Sequence, residues 1–184
     1  MENVHIKDDI LRKLCSEEEL AERVAELGKQ ISKDYEGKEL LMISILKGSC
    51  VFMTDLMRNI DIRCRIDFMA VSSYGAGMKT SGVVKILKDL DHPIEGYEVL
   101  IVEDILDSGK TLSYIMEILE ARNPKSISIC TLFDKPSRRI APVQAKYIGF
   151  EVPDEFIVGY GLDYNEIYRN LPYIGVLKPE VYQK

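Results

Sequence analysis

Val99-Leu100-Ile101-Val102-Glu103-Asp104-Ile105-Leu106-Asp107-Ser108-Gly109-Lys110-Thr111-Leu112 is the stretch that decides the fold. Its first four residues are apolar without alternation, the pattern of a compact strand covered on both faces. Two adjacent carboxylates, Glu103 and Asp104, follow at the strand end. A short Asp-Ser-Gly-Lys-Thr turn then opens a helix that carries Leu112, Ile115, Met116 and Leu119 on one side. Strand, polar turn and helix in this order form half of a βαβ unit.

The same grammar recurs on either side. Leu40 to Leu46 reads as a buried strand running into Lys47-Gly48-Ser49, followed by a helix with Phe52, Met53, Leu56, Met57 and Ile60 on one face. Ile66 to Val71, Val83 to Leu87, Ile127 to Leu132, Tyr147 to Phe150 and Phe156 to Tyr160 are strand-like. Near the start, Ser16 and Glu19 make a capping-box signature ahead of Leu20, Val24, Leu27 and Ile31 at helical spacing. Apolar strands alternating with helices predict an α/β fold with a mostly parallel sheet flanked by helices. Ligands bind such sheets at the carboxyl ends of the strands, so the turns after Leu46, Val102 and Leu132 form the expected functional edge.

The chain has 184 residues, enough to bury roughly 70% of its extended surface without staples. No repeat, low-complexity tract or long linker divides it, so one domain over 1–184 is expected. With 46% hydrophobic and 29% charged residues it is an ordinary globular composition. Its 24 basic against 30 acidic residues give a net charge of −6, which argues against a nucleic-acid partner. The longest near-apolar run, Leu40 to Leu46, is far too short for a membrane span, and Met1 to His5 do not read as a leader. Cys15, Cys50, Cys64 and Cys130 form no CxxC pair, and His5 and His92 are the only histidines. A zinc site is not expected, and isolated thiols suit a cytoplasmic location.

An acidic chain that binds an anion must do so with local donors. The turn from Ser108 to Thr111 supplies them, because the first N–H groups of a helix lack intrahelical partners and lie at its positive end. Gly109 allows a tight bend, and Ser108 and Thr111 add hydroxyls, so this segment reads as a phosphate cradle. Gly109-Lys110-Thr111 matches the end of a Walker A loop, but that motif needs glycine where this chain has Asp104. Carboxylates beside a phosphate cradle suit the hydroxyls of a ribose 5-phosphate better than a triphosphate.

The acidic pair, the third acid and the Gly-Lys-Thr turn resemble the signature of type I phosphoribosyltransferases. Leu46-Lys47-Gly48-Ser49, Ser73-Tyr74, Phe133-Asp134-Lys135 and Val152 through Glu166 are similar to further segments of the hypoxanthine-guanine members, over roughly residues 40 to 177. The resemblance implies a type I phosphoribosyltransferase fold. Its core covers about 35–150, under a small hood made by the N-terminal segment and about 151–184. It implies Mg²⁺-dependent transfer from 5-phosphoribosyl 1-diphosphate to a 6-oxopurine base, giving IMP or GMP, and a homo-oligomer, dimer or tetramer.

The resemblance also assigns roles. Asp107 is the general base at the purine N7. Glu103 and Asp104 accept from ribose hydroxyls and stand near the metal. Ser108, Gly109, Lys110 and Thr111 hold the 5-phosphate through backbone and hydroxyls, with no side-chain role for Lys110. Lys47 and Gly48, joined to Leu46 by a cis bond, and Arg169 bind the diphosphate, with the Ser49 amide near by. Lys135, Phe156, Ile157 and Asp163 form the purine pocket. Asp163 also ligates Mg²⁺. Ser73 and Tyr74 begin a lid over Ser72 to Gly82, with Lys79 and Thr80 behind it. Two other classes stay open at this point. One is a sensor of phosphoribosyl diphosphate on the same fold, which needs no N7 base. The other is a nucleotide kinase, which needs the missing Walker glycine.

Overall fold

A computed structural model describes residues 5–73 and 84–183, so Tyr74, Lys79, Thr80 and most of the expected lid lie outside the described residues, as do residues 1–4. Along the chain run β1 (Ile10–Cys15), α1 (Glu17–Asp34), β2 (Leu40–Leu46), α2 (Cys50–Arg58), β3 (Cys64–Ser73) and β4 (Val84–Lys88). Then follow β5 (Glu98–Leu106), α3 (Lys110–Glu120), β6 (Ser126–Asp134), β7 (Tyr147–Glu151), β8 (Ile157–Val158), β9 (Ile174–Leu177) and α4 (Pro179–Tyr182). Six strands form the main sheet in the order β4-β3-β2-β5-β6-β7. All its pairings are parallel except β3 with β4. This is the mostly parallel α/β arrangement that the strand pattern implies.

Both faces of the sheet are covered, and the strand residues alternate between them. Leu40, Met42, Leu100, Val102, Cys130 and Leu132 pack beneath the apolar sides of α1 and α2. Leu41, Ile43, Ile45, Val99, Ile101 and Ile129 face α3, against Leu112, Ile115 and Leu119. The capping box at the start of α1 is complete. The Glu19 N–H donates to Ser16 Oγ at 3.2 Å, and the Ser16 N–H donates to Glu19 Oε2 at 2.7 Å. The Ser49 hydroxyl is turned inward, donating to the Ile45 carbonyl at 2.6 Å and lying 2.7 Å from Ser44 Oγ. It closes the turn after β2 and is not available to a ligand.

A second sheet, β1-β9-β8, is antiparallel and is built from the two ends of the chain. Its own small core holds Val158, Tyr168, Leu171, Tyr173 and Leu177. The Tyr168 hydroxyl ties it together by donating to Asp9 Oδ2 at 2.7 Å. Neither β1 nor β9 is evident from the sequence, because the middle of β1 carries Arg12 and Lys13 outward and breaks the apolar pattern.

Three strand readings need correction, the first being that the strand expected to end at Leu132 runs on through Asp134, paired with β5 to its end. β5 does not stop at Val102 but continues to Leu106, so Glu103 and Asp104 lie within the strand and not beyond its end. Pairing explains this, since Glu103 faces Thr131 and Leu106 faces Asp134 on β6. A neighbouring strand supplies backbone partners whatever the side chains are. The strand expected from Phe156 to Tyr160 is cut to Ile157–Val158, because Gly159, Tyr160 and Gly161 all take positive φ and turn the chain.

Candidate active site

Three turns leave the carboxyl ends of neighbouring strands on one edge: 47–49 after β2, 107–109 after β5 and 135–138 after β6. β5 and β6 end in register, and the Lys135 N–H donates to the Leu106 carbonyl at 3.0 Å. Asp107 and Lys135 therefore leave the sheet side by side, although 28 positions separate them in sequence.

Between Asp107 and α3 lies a small cavity of about 130 Å³, lined by Glu103, Asp107, Ser108, Gly109 and Thr111 among others. Gly109 caps α3 with a left-handed φ of 76°, a conformation that costs an L-residue roughly 1–2 kcal/mol. The cap leaves the first N–H groups of an 11-residue helix facing the cavity edge. Lys110 is exposed and does not line it. Such a site offers backbone and hydroxyl donors to an anion of phosphate size.

A larger cavity of about 520 Å³ adjoins it and shares Ile105 and Asp107 with it. Its walls include Asp104, Lys135, Phe156, Ile157 and Asp163. Lys135 is buried, and its ammonium donates to the Glu155 carbonyl at 2.6 Å. Burial lowers its pKa, against the attraction of the Asp107 carboxylate. The Phe156 ring stacks on Tyr182, 4.8 Å between centroids, and meets Tyr164 edge-on at 5.5 Å. With Asp107, six of the expected site residues thus converge on one chamber, at the junction of the main sheet and the terminal sheet.

Asp107 stands on the wall common to both cavities. Its Oδ2 is 3.9 Å from Arg138 Nη1, while its Oδ1 is buried with no hydrogen-bond partner. A buried acceptor without a partner loses free energy until a donor arrives. The acidic pair beside it is held under similar stress. Burial first, and the Asp104 charge second, push the Glu103 carboxyl well above its ordinary value. Burial raises Asp104 to about 6, against hydrogen bonds from the backbone and the pull of Arg169.

The residues expected to bind the diphosphate, Lys47, Gly48 and Arg169, are not on the walls of this chamber. The Leu46–Lys47 bond is cis, as the resemblance implies. Gly48 lies so close to Asp104 that an added Cβ would fall 1.9 Å from Asp104 Oδ2, so a larger residue here would have to displace that carboxylate. Lys47 Nζ pairs with Glu166 Oε2 at 2.7 Å. Arg169 donates to the Gly161 carbonyl at 2.8 Å and pairs with Asp163 Oδ1 at 3.0 Å. Asp163 Oδ2 accepts from the Glu166 N–H at 2.9 Å. Among the described residues no three acidic, histidine or cysteine side chains form a preformed metal cage, so Glu103, Asp104 and Asp163 do not make one. One carboxylate with outer coordination left to phosphate oxygens and water is the donor set Mg²⁺ accepts. Asp163 fits that description. Of the lid, Ser73 is the last residue of β3, and Tyr74 lies outside the described residues.

Several residues that shape the chamber escape sequence reading. Arg138 lines it and pairs through Nε with Asp154 Oδ1 at 2.5 Å. The paired arginines Arg138 and Arg139, just after Lys135, are the signal that could have found it. Tyr182 and Gln183 also line the chamber, and nothing in the sequence connects them with a pocket built around Lys135.

Known proteins share this fold. Residues 14–165 match the Phosphoribosyl transferase domain. A hypoxanthine-guanine phosphoribosyltransferase of Staphylococcus aureus is 55% identical over 95% of this chain and 98% of its own length. The crystal structure of a hypoxanthine phosphoribosyltransferase from the same organism superposes with a TM-score of 0.95, at 53% identity over 100% of both chains. The bifunctional protein TilS/HprT of Listeria innocua is 53% identical over 99% of this chain, which spans 28% of that longer relative. Matches of this extent and identity leave one assignment: the chain belongs to the phosphoribosyl transferase family, among its hypoxanthine-guanine phosphoribosyltransferases.

Proposed function

We propose that the chain transfers the 5-phosphoribosyl group of 5-phosphoribosyl 1-diphosphate to N9 of hypoxanthine or guanine, releasing pyrophosphate and giving IMP or GMP. The observation that carries this reading is Asp107. Its unpaired buried oxygen stands between a phosphate-sized cavity at a helix start and a larger chamber that Lys135 also lines. The backbone and hydroxyls of Ser108 to Thr111 hold the 5-phosphate. Glu103 and Asp104 accept from the ribose hydroxyls, which places C1 toward Asp107.

Phe156 stacks on the base, with Tyr182 supporting the ring. Lys135, already donating one N–H to the Glu155 carbonyl, directs its remaining donors at the purine O6. As the N9–C1 bond forms and the diphosphate leaves, Asp107 accepts the N7 proton. A carboxylate there also stabilises positive charge growing on the ribosyl carbon. Lys47, Gly48 and Arg169 receive the diphosphate. Mg²⁺, held by Asp163 together with diphosphate oxygens, would neutralise charge on the leaving group. One domain over 1–184, with the terminal sheet as its hood, acts as a homo-oligomer in the cytoplasm.

A spectrophotometric assay with phosphoribosyl diphosphate, Mg²⁺ and hypoxanthine tests the reading directly. Absence of IMP would end it. The base contact has its own test. Lys135→Ala is expected to raise KM for hypoxanthine about tenfold and to relax discrimination against adenine by a similar factor. An amino group at C6 offers a donor where lysine also offers donors, and alanine removes that conflict. Unchanged base kinetics would remove Lys135 from the pocket.

A further inference from the structure

Glu166 has no part in the reaction described above, yet its placement is unusual. Tyr164 and Ile167 exchange backbone hydrogen bonds at 3.0 and 3.2 Å around Asn165 and Glu166. Both central residues have positive φ, 51° and 65°. Such a turn favours asparagine first and glycine second, and asparagine is present. The second position holds a glutamate, in a conformation that an L-side chain resists.

The side chain points to a reason. Glu166 Oε2 lies 2.7 Å from Lys47 Nζ, and Oε1 lies 3.4 Å from Arg169 Nη2. Lys47 belongs to the turn after β2, and Arg169 lies 122 positions later in the chain. One carboxylate therefore bridges two cations that the main sheet and the C-terminal segment bring together. These are the two side-chain cations reserved above for the diphosphate. Two carboxylate oxygens spanning them present the charge and acceptors that phosphate oxygens would.

We propose that Glu166 is an internal counter-anion that occupies Lys47, and shares Arg169 with Asp163, in the free enzyme and must be displaced for the diphosphate to bind. It thereby sets the affinity for the diphosphate end of the substrate, and eases release of pyrophosphate by competing for the same cations. The proposal rests on the reading of Lys47 and Arg169 as diphosphate ligands.

Calorimetric titration of magnesium pyrophosphate into the full chain tests it, comparing wild type with Glu166→Gln and Glu166→Gly. The first variant keeps the shape and removes the charge. The second also relieves the turn. Both are expected to bind pyrophosphate about three- to tenfold more tightly, as loss of two competing exposed ion pairs allows. The gain should shrink in about 1 M salt, where screening reaches about 3 Å. KM for phosphoribosyl diphosphate should fall with it, and KM for the base should not. Wild-type binding with equal or weaker binding by both variants would overturn the role of Glu166 alone. Weaker binding would make Glu166 an aid to the metal or the cations and not their competitor. Failure of the wild type to bind pyrophosphate at all would overturn the reading of the diphosphate site, and this proposal with it.

Discussion

Asp107→Asn is expected to lower kcat by about 10²- to 10⁴-fold, the usual contribution of a positioned general base. The affinity for phosphoribosyl diphosphate should change far less. The substitution keeps the shape of the side chain, so the cavity between β5 and α3 and the N–H groups of α3 are undisturbed. What it removes is the charge and one acceptor. The oxygen concerned, Oδ1, is buried without a partner, so in the free protein it supports no neighbour whose loss would confuse the result. In the asparagine variant a donor can face the N7 proton, which turns attraction into a clash. Steady-state kinetics with hypoxanthine, set beside calorimetric binding of phosphoribosyl diphosphate, separates the two effects. A loss shared equally between kcat and that affinity would make Asp107 a binding residue instead.

Asp104→Asn should act in opposite directions on stability and on function. Burial raises the folded carboxyl to about 6, above the ordinary aspartate value of 3.8. The folded chain thus holds a proton that the unfolded chain releases. Stability from this group is complete below about pH 4 and is lost as pH rises through about 6. At pH 7 to 8 the ionised carboxylate costs the free protein about 2–3 kcal/mol, two units at 1.36 kcal/mol each. Asparagine removes that cost and part of the repulsion that raises Glu103. The melting temperature at pH 7.5 should rise by about 5–10 °C, and its decline between pH 5 and 7 should flatten. Ribose and diphosphate binding should weaken, since Asp104 sits against Gly48 and faces the chamber. Thermal denaturation from pH 5 to 8 checks the first part, and calorimetry the second. An unchanged melting profile would mean that Asp104 is solvated in the free protein.

These two residues show what kind of information the sequence carried. Val99 to Leu112 announces a strand, a glycine turn with helix-start donors and a helix, because those depend on local apolar pattern, glycine and helix-start chemistry. Leu40 to Leu46 and Ile127 to Leu132 are legible for the same reason, as strands buried on both faces need no alternation. Their strand ends were less legible. Glu103 and Asp104 look like a polar loop, yet β6 draws them into the ladder. The terminal strands β1 and β9 hid because pairing between residues as distant as Lys13 and Gly175 leaves no local mark.

The residue types, the order of elements and the Asp-Ser-Gly-Lys-Thr turn were set by local chemistry alone, and with them the family. Tertiary structure decided the rest. Parallel pairing of β5 with β6 puts Asp107 beside Lys135. Burial at the sheet edge displaces the acidic pair from ordinary carboxylate behaviour. Closure of the terminal sheet brings Glu166 between Lys47 and Arg169. Desolvation and long-range charge pairing depend on which atoms surround a group in space, and a linear order of residues does not contain that.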